Sequence, residues 1–153
     1  MIYDQANLMP LPKGARWIPF APDRLHELQD DLDDETSARV IHNAAKGLSG
    51  MLEINGVLLC AVGLIDHGRG IGEVWAVIDR KRKHIHPLLL TRAVRRVVSI
   101  AAVYMGLGTV QMFVNSARTD AQDWAVALGF SLHGELTIYG HPELNHFIYS
   151  RSI

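Results

Sequence analysis

The chain has a single cysteine, Cys60, among 153 residues. No disulfide can form within it, which excludes a disulfide-stapled scaffold and fits a reducing compartment. Cys60 lies in the apolar run Gly56–Val62 with no basic neighbour, so it reads as a small buried hydrophobe rather than a reactive thiol. No apolar run approaches the ~18–20 residues that cross a bilayer. Met1–Gln5 lacks the basic start and apolar core of a signal peptide. No membrane contact and a cytoplasmic location are expected. Net charge is also scarce, −1 with histidines neutral, so overall balance names no partner. Acidic residues are missing locally: no Asp or Glu falls between Arg80 and Arg118. No aromatic residue interleaves with Arg80–Lys83, and with no basic excess this disfavours nucleic acid.

The remaining composition suits one globular domain spanning 1–153. Strand patterns cover Ala15–Phe20, Met51–Ile54, Val57–Ile65, Gly72–Ile78, Thr109–Val114, Ser131–Ile138 and Asn145–Ser150. Asn55-Gly56 between the second and third is a strong hairpin signal. Gly68-Arg69-Gly70 is a second turn, and no helix follows it as a dinucleotide fingerprint would need. A short helix is expected over Asp23–Leu28 and an amphipathic one over Glu35–Lys46, stopped by Gly47. Leu90, Val94, Val97, Ala101 and Tyr104 recur at helical spacing, which predicts one long helix over Pro87–Met105 with Tyr104 on its core side. Asp120–Leu128 is a last helix, closed by Gly129-Phe130. A strand–helix–strand unit among hairpins implies an α/β (α+β) fold. Its central sheet is mixed and mostly antiparallel, with about 6–7 strands flanked by about 4 helices.

Two segments carry a resemblance. Gly72-Glu73-Val74-Trp75-Ala76-Val77-Ile78, followed by a basic loop and the long helix, resembles the fourth strand, pyrophosphate loop and third helix of the GNAT superfamily of N-acetyltransferases. Ala121–Phe130 resembles that family's last helix with its Gly-Phe ending. The texture of the chain is also similar to small GNAT-like proteins of short-tailed bacteriophages. The resemblance implies acetyl-coenzyme A (CoA) as cosubstrate, bound where the fourth and fifth strands splay apart. By position, the backbone at Ala76, Val77 and Ile78 would hold pantetheine. Arg82, Lys83, His84, His86 and Leu88 would lie at the pyrophosphate, Trp124 would contact the cofactor, and Asn115, at the end of the fifth strand, could bond the cofactor or the substrate backbone as a catalytic candidate. Glu73 falls where some members carry a general base. The position of the family's acid tyrosine is Ala125 here, so the resemblance does not carry that residue over; Tyr139 and Tyr104 could in principle substitute, although Tyr104 fits the core side of its helix.

The loop departs from the family pattern, because Ile85 and Pro87 stand where small residues are expected. Pro87 has no N–H to give a phosphate. Arg80–Lys83, with Arg92, Arg95 and Arg96 on one helix face, could supply charge instead. The acidic stretch Asp30, Asp31, Asp33, Asp34 and Glu35 could steer a cationic amine. His67 follows Asp66 in a turn and reads as a surface residue, with lining the cleft as the alternative. No metal is expected, since His84/His86 and the His133, His141 and His146 group lack the spacing of a zinc site.

The expected function is acetyl-CoA-dependent transfer to an amine on a small molecule or protein. The alternative is a catalytically degenerate phage protein of the same fold that binds a bacterial host protein, or CoA, without turnover. A homodimer is left open.

Overall fold

A computed structural model describes residues 2–7, 11, 13–28, 34–78, 87–137 and 139–153. Seven strands form one sheet: β1 (Ala15–Pro19), β2 (Leu48–Ile54), β3 (Val57–Asp66), β4 (Ile71–Ile78), β5 (Thr109–Asn115), β6 (Ser131–Leu136) and β7 (His146–Ser152). Their spatial order is β1-β2-β3-β4-β5-β7-β6, antiparallel throughout except at β4–β5. The helices are α1 (Ile2–Asn7), α2 (Asp34–Ala45), α3 (Pro87–Tyr104) and α4 (Thr119–Ala127), with a 3-10 turn at Pro22–Glu27. The expected α/β architecture is therefore the observed one.

Local chemistry sets the turns. Asn55 and Gly56 both have positive φ, 50° and 80°, the pair of values a type I′ hairpin requires. The Gly129-Phe130 ending closes α4 as a Schellman motif. Gly129 takes φ 91°, its N–H donates to the Val126 carbonyl, and the Phe130 N–H donates to Ala125. That turn drives Phe130 into the core.

The same motif ends α3 and corrects one expectation. The Leu107 N–H reaches back to Ala102 and the Gly106 N–H to Val103. The buried stripe of α3 is Leu90, Ala93, Val94, Val98, Ala101 and Ala102. Tyr104 is 65% exposed, because the chain folds back there and Leu107 fills that end of the core in its place. Helix α1 carries no periodic signal of its own. Asn7 holds it to the sheet by donating from Nδ2 to the Trp17 carbonyl (3.0 Å) and accepting the Trp17 N–H on Oδ1 (2.7 Å).

Alternation along the strands builds a core on each face of the sheet. Val74, Leu64, Val62 and Val110 pack with the buried stripe of α3 on one face. Val77, Met51, Leu58 and Ala61 pack on the other with Val40 of α2 and Leu25. Glu53 is the exception, a buried carboxylate. It accepts from Arg16 Nε at 2.6 Å and Arg24 Nη1 at 3.0 Å. These two arginines hold its carboxyl below the usual range.

Candidate functional site

The one parallel pairing is short. Ile71, Gly72 and Glu73 of β4 pair with Thr109, Val110 and Gln111 of β5, and there the ladder ends. Beyond it β4 stays bonded to β3 as far as Ile78, and β5 stays bonded to β7 as far as Asn115. Each strand follows a different neighbour, so a twisted sheet must open between them. The opening is a cleft of about 400 Å³.

One wall of the cleft is β4 from Glu73 to Ile78, and the facing wall is β5 from Met112 to Asn115. Ala76 and Val77 thus lie on the open edge, past the last β5 partner. Trp124 and Ala121 of α4 close one side. Trp124 is set there by its indole N–H, which donates to Thr91 Oγ1 at 3.2 Å. Thr91 in turn donates to the Pro87 carbonyl at 2.8 Å, so α4 is tied to the first turns of α3. Thr36 and Arg39 reach the cleft from α2, and Arg118 and His146 from the β5 and β7 ends.

Glu73 sits at the apex, and alternation puts it on the same face as Trp75 and Val77. Its Oε1 lies 3.2 Å from His67 Nε2, on the turn before β4. The turn holds His67 in place: its N–H donates to the Ile71 carbonyl at 2.9 Å, and Gly68 and Arg69 adopt positive φ. The carboxylate is partly buried while the imidazole is half exposed. A proton on the carboxylate therefore has a route to solvent through the ring.

The structure brings Glu73, Ala76, Val77, Ile78, Asn115 and Trp124 together in this cleft. It gives Asn115 a turn to hold: Nδ2 donates to the Glu143 carbonyl at 3.2 Å and Oδ1 accepts the Ala117 N–H at 2.9 Å. Tyr139 is not in the cleft. It is 99% exposed in the turn linking β6 to β7, and β7 and β5 stand between β6 and the opening. Leu88 is exposed on the first turn of α3 and does not line the cleft. Asp34 and Glu35 are exposed on α2 outside the lining, so the α2 side contributes Arg39 where negative charge was expected. Arg92, Arg95 and Arg96 line a separate groove. Arg82, Lys83, His84, His86, Asp30, Asp31 and Asp33 lie outside the described residues.

Sequence reading missed Thr36, Arg39 and Arg118, because nothing local says that α2 and the β5–α4 turn flank the same gap. Cys60 is buried as expected, and burial pushes its thiol up to about 12.

The fold is that of the GNAT acetyltransferases. Ard1 from Thermoplasma volcanium superposes with a TM-score of 0.74 at 11% identity, over 92% of this chain and 98% of that one. A GNAT-family acetyltransferase from Bacillus anthracis gives 0.68 at 14% identity, over 92% and 95%. The microcin C7 self immunity acetyltransferase MccE, solved in complex with acetyl-CoA and AMP, gives 0.69 at 12% identity, over 96% and 99%. No family model and no curated protein matches the sequence. No helix among the described residues is long and apolar enough to cross a membrane.

Proposed function

We propose that this protein is an acetyl-CoA-dependent N-acetyltransferase. The supporting observation is the end of the β4–β5 ladder at Glu73–Gln111, which sets a carboxylate at the apex of an open cleft. The cleft fits the extended arm of such a cofactor: about 400 Å³ of space, and a β4 edge at Ala76 and Val77 without a β5 partner. The cofactor's thioester would supply the acetyl group. Ala76 and Val77 hold the arm through backbone groups, Ile78 extends that wall, and Trp124 bounds the other side. Arg82, Lys83, His84 and His86 supply the charge at its phosphate end.

An amine reacts only when neutral, so an ammonium acceptor must first give up a proton. Glu73 takes it, and His67 hands it to solvent. Arg39 and Thr36 on the α2 side favour an acceptor that carries its own carboxylate or phosphate beside the amine. Calorimetric titration with acetyl-CoA, followed by acetylation assays on amines with and without an anionic group, tests this reading. Glu73→Gln should lower kcat by roughly 10²–10⁴-fold with cofactor affinity retained. No heat at millimolar acetyl-CoA, with folded protein, refutes it.

One observation favours a second reading, a protein of this fold that binds CoA or a bacterial host protein without turnover. Among the described residues, no tyrosine lines the cleft to protonate a leaving thiolate. Retained cofactor binding with no product on any amine would select it.

A further inference from the structure

The arginines that the sequence places near a phosphate form a site of their own. Arg92, Arg95, Arg96, Ser99 and Ile100 of α3, with Arg151 of β7, line an open groove of about 520 Å³. None of them lines the cleft. Arg92 and Arg96 are one helical turn apart, as are Arg95 and Ser99, so all four point along one side of α3.

Arg151 is held in position. Its Nη2 donates to Ser99 Oγ at 2.6 Å and its Nη1 to the Arg95 carbonyl at 3.4 Å. Ser99 Oγ donates to the same carbonyl at 3.1 Å. The Arg95 guanidinium lies beside Gly129, close to where a side chain at that position would begin. Among the described residues no carboxylate forms an ion pair with any of these four arginines. Desolvation and the Arg95 charge together press the Arg151 guanidinium below its ordinary value. Four like charges with no carboxylate paired to them among the described residues repel one another, and an anion seated among them relieves that repulsion.

We propose that this groove is a binding site for a short chain of phosphates, separate from the cleft. Guanidinium forks match phosphate oxygens in pairs. From Arg92 to Ser99 the helix rises about 10 Å, longer than one phosphate can bridge. Among the described residues no aromatic lines the groove, so single-stranded nucleic acid finds no stacking platform there. Recognition rests on the phosphates, and inorganic tripolyphosphate and a nucleoside triphosphate bind alike.

The test is calorimetric titration of the full chain with inorganic tripolyphosphate, ATP and a single-stranded oligonucleotide, each at two salt concentrations. Tripolyphosphate should bind saturably, weaken with salt, and match ATP to within about threefold, a free-energy difference below ~1 kcal/mol. Arg92→Gln/Arg96→Gln alters two exposed side chains and should cost at least tenfold in affinity. Ser99→Ala frees Arg151 and should weaken binding less. Both variants should keep the wild-type melting curve and the wild-type response to acetyl-CoA. Three results each overturn the proposal: no saturable tripolyphosphate binding, unchanged affinity in the double variant, or binding of the oligonucleotide well above both phosphates. Loss of the acetyl-CoA response in the double variant also overturns it, because the groove would then be part of the cofactor site. If acetyl-CoA gives no heat with the wild type, the cleft reading fails and the tripolyphosphate result still decides this one.

Discussion

Gly63 is the position where one methyl group should report on both packing and the cleft. It pairs with Trp75 across the β3–β4 ladder. A side chain there would overlap the indole at Nε1, Cε2 and Cζ2. Trp75 is held by Phe20, which it meets edge-on at 6.0 Å and 82°, so an added methyl must push the indole toward the cleft it borders. Overpacking of this kind costs about 1–3 kcal/mol, while replacing a strand glycine returns about 0.5–1 kcal/mol of backbone entropy. Gly63→Ala should therefore destabilise by roughly 1–2 kcal/mol, or about 2–8 °C in Tm at ~2–4 °C per kcal/mol for a chain this long. In a Trp75→Ala background the obstruction is gone, and the same substitution should be neutral or stabilising. The double-mutant cycle, read from urea unfolding at matched m-values, should give a coupling of about 2 kcal/mol. Additive effects, with coupling within ~0.5 kcal/mol of zero, would refute the packing of Trp75 over Gly63.

Other outcomes follow from buried groups. Glu53→Gln should destabilise by roughly 1–2 kcal/mol at neutral pH, a discounted figure because Arg16 is exposed. The folded-state pKa of Glu53 is depressed. Its contribution is present above the unfolded value near 4.3 and fades as pH falls through the lower folded value. The gap between wild type and variant, followed by thermal melts from pH 7 to pH 2, should therefore close in acid; a constant gap would refute the ion-pair account. Cys60, buried with its thiol pushed up to about 12, should react with a thiol reagent only as the protein opens. Labelling should speed up in step with added urea, and rapid labelling of the native chain would contradict its burial.

Much of the fold was legible because its signals are local. The Asn55-Gly56 turn, the alternation that puts Glu73, Trp75 and Val77 on one face, and the 90–94–97–101 spacing of α3 each follow from backbone geometry over a few residues, although Val98 rather than Val97 is the fully buried residue. The Gly129-Phe130 ending was legible for the same reason, since glycine is the residue that takes φ 91° without strain. Helix α1 was not, because it is held by the Asn7–Trp17 pairing rather than by a pattern of its own. Tyr104 failed for a related reason. Its spacing was right, but the end of a helix buries only what the next turn leaves room for.

By itself, then, the sequence determined the order of elements from β1 onward, the mixed sheet, the buried thiol and the placing of Glu73 on a strand, since each depends on neighbours in the chain. The tertiary structure alone decided where the β4–β5 ladder ends, that His67 and Arg39 face Glu73's surroundings while Tyr139 does not, and that Arg92, Arg95 and Arg96 turn from the cleft to join Arg151. Apart from the His67–Glu73 contact, which is made within one hairpin, those outcomes depend on residues tens of positions apart meeting across a twisted sheet. Local spacing carries no information about which of them will meet.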